Sequence, residues 1–171
     1  MQLRKKNQRK WMKEAVVALS LFVLGRAFQS GARRDHGLQQ ETAEWPEGLR
    51  ITLQVLPDGP HLNLCKQDGQ MKHLKQAERP ADLEINFKNI ECALMLLTPR
   101  MGLAQGFAEH RISIVGDLNL SMSFTRCMNI MLSYFYPECI CRRLLKRIPQ
   151  SDPDHAFHRI HIYLVGIPFG K

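Results

Sequence analysis

The period of the apolar residues changes at Lys88. Before it, Leu83, Ile85 and Phe87 alternate with polar neighbours, the pattern of a strand with one buried face. After it, Ile90, Ala93, Leu94 and Leu97 recur at helical spacing. The strand pattern also occurs upstream, where Leu49, Ile51, Leu53 and Val55 alternate with Arg50, Thr52 and Gln54, and the helical pattern returns over 119–136. A sheet with one apolar face, followed by helices able to cover it, is an α+β arrangement.

Turn residues fill in the sheet. Pro57-Asp-Gly-Pro60 reverses the chain, His61–Cys65 alternates again, Asp68-Gly69 is a hairpin signal leading into a weaker strand at 71–75, and Pro80 ends the meander. Arg111–Asp117 is a further strand that ends in a Gly-Asp turn. The prediction is a twisted, mostly antiparallel sheet of about five strands, covered on one face by helices. Asn89 caps the first of these helices, Thr98-Pro99 ends it, and a short second helix spans 102–109.

The helices are apolar beyond a single stripe. Over 119–136 the main stripe is Leu120, Phe124, Cys127, Met128, Met131 and Phe135, while Met122, Ile130 and Leu132 make the back apolar as well. One sheet covers one layer of helix, so the surplus predicts a cavity between sheet and helices, or a partner laid over them. Met95, Met101, Met122, Met128 and Met131 fall in this region, and flexible thioethers suit a pocket of adaptable shape; the alternative is that they plug an ordinary core.

Charge is concentrated near the two ends. Arg4, Lys5, Lys6, Arg9, Lys10 and Lys13 stand in the first 13 residues without an acid, and Arg142, Arg143, Lys146 and Arg147 follow Pro137. The rest of the chain is nearly neutral despite a net charge of +8, which disfavours nucleic acid and suits anionic lipid headgroups. Ala15–Leu24 is an apolar run about 15 Å long as a helix, half of a bilayer core of about 30 Å, and Arg26 interrupts it. Met12, Ala15, Val16, Leu19, Phe22 and Val23 trace one stripe, and Val17, Leu21 and Leu24 make the other side apolar. Such a helix packs on the domain or lies in a membrane surface; a spanning anchor is a third arrangement. After Pro137, a helix carrying Ile140, Cys141, Leu144, Leu145 and Ile148 opposite the four cations is basic and amphipathic, docked on the body or on a membrane. The tail at 159–165 alternates partly and is read as a strand. The resulting organisation is a basic apolar helix over 1–30, a polar linker over 31–48, a domain over 49–136, and a basic amphipathic helix and tail over 137–171.

Chemistry is sparse. Nucleophile elbow, P-loop, dinucleotide fingerprint and metalloprotease helix are all missing from the sequence, so catalysis and cofactors are not expected. Cys139-Ile-Cys141 lacks zinc-knuckle spacing, and His155, His158 and His161 lack a fourth ligand, so no metal is expected. The scattered cysteines 65, 92, 127, 139 and 141 point to a reducing compartment and a cytoplasmic protein, peripheral on a membrane if the basic segments dock there.

The order of these segments resembles the sterol carrier protein type 2 family of lipid-binding domains. The carriers of the resemblance are Asp82-Leu-Glu-Ile-Asn-Phe87, Leu94-Met-Leu-Leu-Thr-Pro99, Ala104-Gln-Gly-Phe107, and Ile112-Ser-Ile-Val-Gly-Asp117 opening into Leu120-Ser-Met-Ser-Phe124. They span roughly Leu49 to Tyr136. The resemblance implies a non-catalytic carrier of a sterol, fatty acyl or isoprenoid lipid in a cavity between sheet and helices. The expected ligand contacts are Leu94, Leu97, Met101, Phe107, Leu120, Phe124, Met128, Met131 and Phe135. The expected membrane contacts are Lys5, Lys6, Lys10, Trp11, Arg142, Arg143, Lys146 and Arg147. The competing expectation is a membrane-peripheral scaffold that turns the same helices toward a protein partner.

Overall fold

A computed structural model describes residues 2–75, 80–98, 100–136 and 138–144. The predicted helix and strand beyond Leu144, with Lys146, Arg147 and the three spaced histidines, lie outside the described residues.

The strands are β1 (Arg50–Val55), β2 (His61–Gln67), β3 (Gln70–Leu74), β4 (Leu83–Phe87) and β5 (Ile112–Gly116). They form one sheet in the order β3-β2-β1-β4-β5. Three pairings are antiparallel, and β1 and β4 run parallel. Register brings the predicted apolar positions together: Leu53 stands opposite Leu62 on one side and Ile85 on the other, and Ile85 faces Ile114. Side chains in register share a face, so β1, β4, β5 and the start of β2 present one apolar face, to which β2 and β3 add Lys66 and His73 towards the far edge. The other carries polar pairs, Thr52 Oγ1 donating to Asn63 Oδ1 at 2.9 Å and Gln54 Nε2 to Asn86 Oδ1 at 2.7 Å.

Helices α1 (Gln2–Gly31), α2 (His36–Ala43), α3 (Ile90–Leu97), α4 (Leu103–Ala108), α5 (Leu118–Phe135) and α6 (Glu138–Leu144) complete the chain. Asn89 and Asp117 cap α3 and α5 by accepting the backbone N–H groups of Cys92 and Leu120. Each oxygen satisfies a donor that the first helical turn leaves without a partner.

The polar linker expected over 31–48 is corrected by α2. Asp35 caps this helix through Oδ1, which accepts Leu38 N–H at 2.7 Å, and Leu38 is fully buried. With only Leu38 and Thr42 buried along its eight residues, α2 is too short to show an apolar period. Lys66 closes its far end: the buried Nζ donates to the carbonyls of Thr42, Ala43 and Trp45 at 2.7–3.1 Å, where a cation also meets the negative end of the helix dipole.

α1 packs on the body through Val17, Leu21, Leu24, Ala27 and Phe28, all buried. The stripe through Met12, Val16, Leu19 and Phe22 is the exposed one. Gly25 permits a close crossing, since a Cβ there would collide with Leu62 Cδ1 of β2. No single helix among the described residues is long and apolar enough to cross a membrane; α1 from Lys10 together with α2 would reach that composition only as a pair bent by 89°.

Candidate functional site

A cavity of about 360 Å³ lies between the apolar face of the sheet and the helices. The sheet supplies its floor, Leu53 of β1 with Ile85 and Phe87 of β4. Leu96 and Leu97 of α3 and Leu103 and Phe107 of α4 form one wall. The opposite wall is one stripe of α5, Phe124, Thr125, Met128, Leu132 and Phe135, continued by Tyr136. α1 adds Leu19, Ser20, Val23 and Leu24. Leu19 is 63% exposed although it belongs to the wall, so the cavity reaches the surface beside α1.

Polar atoms on this wall are already engaged. Ser20 Oγ donates to Val16 O at 2.9 Å, Thr125 Oγ1 to Ser121 O at 2.8 Å, and Tyr136 Oη to Leu97 O at 2.9 Å. No charged side chain lines the cavity among the described residues. A wall of this kind offers dispersion contacts and apolar burial. Among the described residues no group of three or more His, Cys, Asp or Glu side chains is gathered to hold a metal ion.

The neighbouring stripe of α5 faces the body. Trp45 Nε1 donates to Ser123 Oγ at 2.9 Å, and Ser123 Oγ donates in turn to Glu41 Oε2 at 2.8 Å. Arg126 grips Glu41 with two bonds of 2.6 and 2.8 Å and holds its carboxyl below the usual range, against the opposing effect of burial and with a lesser contribution from Ser123. Burial pushes the Cys127 thiol up to about 12, which keeps it protonated and unreactive at neutral pH.

Leu97, Phe107, Phe124, Met128 and Phe135, five of the expected ligand contacts, come together on the cavity wall. The other four stand elsewhere. Leu94 is half-buried against the core, Met101 is buried, and Met131 is fully buried on the body-facing stripe of α5. Leu120 lines a separate groove of about 660 Å³ with Trp45, Leu49, Asp82 and Asp117. Met128 alone of the five clustered methionines touches the cavity; Met122 is exposed and the rest pack in or against the core. The α1 contribution escaped the sequence reading because a helix apolar on both sides does not reveal which side turns inward. Of the expected membrane contacts, Lys10, Trp11 and Arg142 are exposed, and Lys5, Lys6 and Arg143 lie within α1 and α6.

No protein-family model matches the chain, and no curated protein matches it in sequence. Solved structures of sterol carrier protein 2 domains are similar to it. The structure titled "UbiJ-SCP2 Ubiquinone synthesis protein" aligns with 68% of this chain and 96% of its own length at 16% identity and a TM-score of 0.48. Sterol carrier protein domain 2 of Helicoverpa armigera aligns with 77% of this chain and 92% of its own, at 16% identity and a TM-score of 0.46. Sterol carrier protein 2 like 2 of Aedes aegypti aligns with 52% of this chain and 90% of its own, at 9% identity and a TM-score of 0.35. At these scores the overlap by itself assigns no ligand.

Proposed function

We propose that the chain is a non-catalytic binder of an apolar lipid, of sterol, fatty acyl or isoprenoid type, and that it exchanges this lipid at a membrane surface. The observation that carries the reading is the cavity: about 360 Å³, roofed by four helices over the apolar face of the sheet, with no charged side chain on its described wall. Removing apolar ligand surface from water there yields about 25 cal/mol per Å², which suffices for binding without a specific polar contact. Membrane docking is supported by α1, whose outer face exposes Trp11, Met12, Val16, Leu19 and Phe22 downstream of its basic start. An interfacial helix combines these two properties, and each cation near an anionic surface contributes about 1 kcal/mol.

Gentle purification followed by lipid extraction and mass spectrometry is expected to recover a bound lipid, and a fluorescent fatty acid is expected to titrate to one site per chain. An empty extract together with a flat titration overturns the carrier. Salt should weaken vesicle binding and leave the fatty acid titration unchanged.

A second apolar patch favours the competing scaffold reading. Leu118 and Met122, one turn apart on α5, are 72% and 57% exposed, and neither lines the cavity. A protein partner captured by both Leu118→Ser and wild-type chains would discount this patch; capture lost in the variant, with lipid binding retained, would favour it.

A further inference from the structure

The sheet has two edges, β3 and β5, and they are treated differently. The two-residue turn at Asp68-Gly69 sets Gln67 against Gln70, so Met71 and His73 turn their backbone groups to the outside of β3. α1 lies against that strand, and Gln29 Oε1 accepts the outward His73 N–H at 3.3 Å. Lys72 adds a charge of the kind that blunts an edge.

β5 is open. Lys88 N–H donates to Arg111 O at 3.0 Å, which fixes the alternation of the ladder with β4. Asn86 with Ser113 and Glu84 with Val115 are then the bonded pairs, and Ile112, Ile114 and Gly116 turn their backbone groups away from the sheet. None of those outward groups has a hydrogen-bond partner among the described residues. The strand Ile112-Ser-Ile-Val-Gly116 holds no charge and no proline, and Ser113, Val115 and Gly116 are exposed. Such an edge is a template for one more strand.

We infer that the added strand is β5 of a second copy of this chain, laid antiparallel and centred on Ile114, so that two five-stranded sheets join into one. The residues that bound the strand argue for a second copy. Arg111 and Asp117 carry opposite charges, and antiparallel pairing about Ile114 sets each Arg111 opposite Asp117 of the other copy; a parallel pairing sets like charges together. Asp117 spends Oδ1 on Leu120 N–H at 2.8 Å, which leaves its other oxygen for a cation. The same register matches Ile114 with itself and Ile112 with Gly116, so every outward residue meets an outward residue. A shift by two residues leaves one of them in each copy without a match. The two-fold axis closes the contact, and assembly stops at a dimer. Neither Ser113 nor Val115 lines the cavity, so the inference does not depend on lipid binding.

The test is sedimentation equilibrium of the full chain. An interface of one short strand lies at the small end of protein contacts, so a monomer–dimer equilibrium with a dissociation constant of about 10–500 μM is expected. Ile114→Pro removes an outward N–H and no bond to β4, and is expected to be monomeric with an unchanged circular dichroism spectrum. Should that variant not fold, a pair of exposed substitutions carries the test. In the proposed register residue 113 of one copy stands opposite residue 115 of the other. Ser113→Lys with Val115→Lys sets like charges face to face twice and is expected to weaken the dimer about tenfold or more. Ser113→Glu with Val115→Lys sets opposite charges there, and is expected to dimerise at least about tenfold more tightly than the double lysine variant.

A wild-type chain that stays monomeric up to about 1 mM overturns the inference, whatever other extended peptide the edge then accepts. So does a dimer that the double lysine variant leaves intact, because association then uses another surface. Equal affinities of the two double variants overturn the register and with it the antiparallel pairing about Ile114.

Discussion

α1 and α5 run through two differently built regions. Towards the end of α1, Phe28 stacks with Trp45 and Phe124 at ring separations of 6.3 and 5.9 Å, and fully buried Tyr134 of α5 donates to Asp35 Oδ2 at 2.5 Å. This region is filled with rings and pinned by hydrogen bonds. Earlier in α1, Leu19, Val23 and Leu24 face the other stripe of α5 across a cavity. Both regions draw mainly on apolar helix surface. What differs is α2, which brings Asp35, Leu38 and Trp45 against one stripe of α5 and leaves the next stripe without cover. Surplus apolar surface on a helix is thus divided between a neighbour that packs and a hollow that does not.

The sharpest way to break this comparison is to truncate one ring in each region. Phe28→Ala should cost about 3–5 kcal/mol by urea denaturation, because a well-packed neighbourhood cannot collapse into the space. Phe107→Ala, on the half-buried cavity wall, should cost about 1–2 kcal/mol and weaken lipid binding more than stability. Equal losses would mean that the two regions are packed alike.

Lys66→Met tests the pin at the end of α2. It strips the carbonyls of Thr42, Ala43 and Trp45 of their shared donor, with an expected loss of about 2–4 kcal/mol and more rapid amide exchange across residues 38–45. A loss below about 0.5 kcal/mol would show that α2 is held by its apolar contacts alone.

Filling the hollow should have the opposite profile. Leu103→Trp is expected to leave the unfolding free energy within about 1 kcal/mol of wild type, since the larger ring occupies existing space, and to abolish binding of the fluorescent fatty acid. Full binding by a folded variant would place the ligand elsewhere.

The smallest effect concerns Glu41. Its carboxyl titrates below the ordinary 4.5, owing first to the Arg126 hydrogen bond, so the contact contributes stability above about pH 4.5 and loses it as pH falls through the folded value. The stability difference between wild type and Glu41→Gln should therefore be constant near neutrality and shrink on acidification. A difference that persists to pH about 3 would exclude ionisation of Glu41 as its cause.

Much of the fold was legible because the signals are local. Alternation at 49–55 and 82–88, the Asp68-Gly69 turn and the Asn89 cap each occupy a few consecutive residues, and the corresponding strands, hairpin and helix stand within a residue or two of them. The site was legible only in part. Phe124, Met128 and Phe135 and their neighbours on α5 could be picked out as apolar, yet Met131, three residues beyond Met128, belongs to the other stripe. Helical spacing cannot separate two adjacent stripes when both are apolar.

By itself the sequence determined the elements and the excess of apolar helix, since backbone propensities, caps and periodicity act over a few residues. Tertiary structure alone decided where that excess went. It placed α1 on the body with Val23 and Leu24 on the cavity, Leu19 at its opening, and Trp11, Met12, Val16 and Phe22 exposed, and set α2 against α5. Contacts between residues 80 or more positions apart, such as Ser123 and Arg126 with Glu41 and Tyr134 with Asp35, made that choice, and nothing in the local pattern of either partner announces the other.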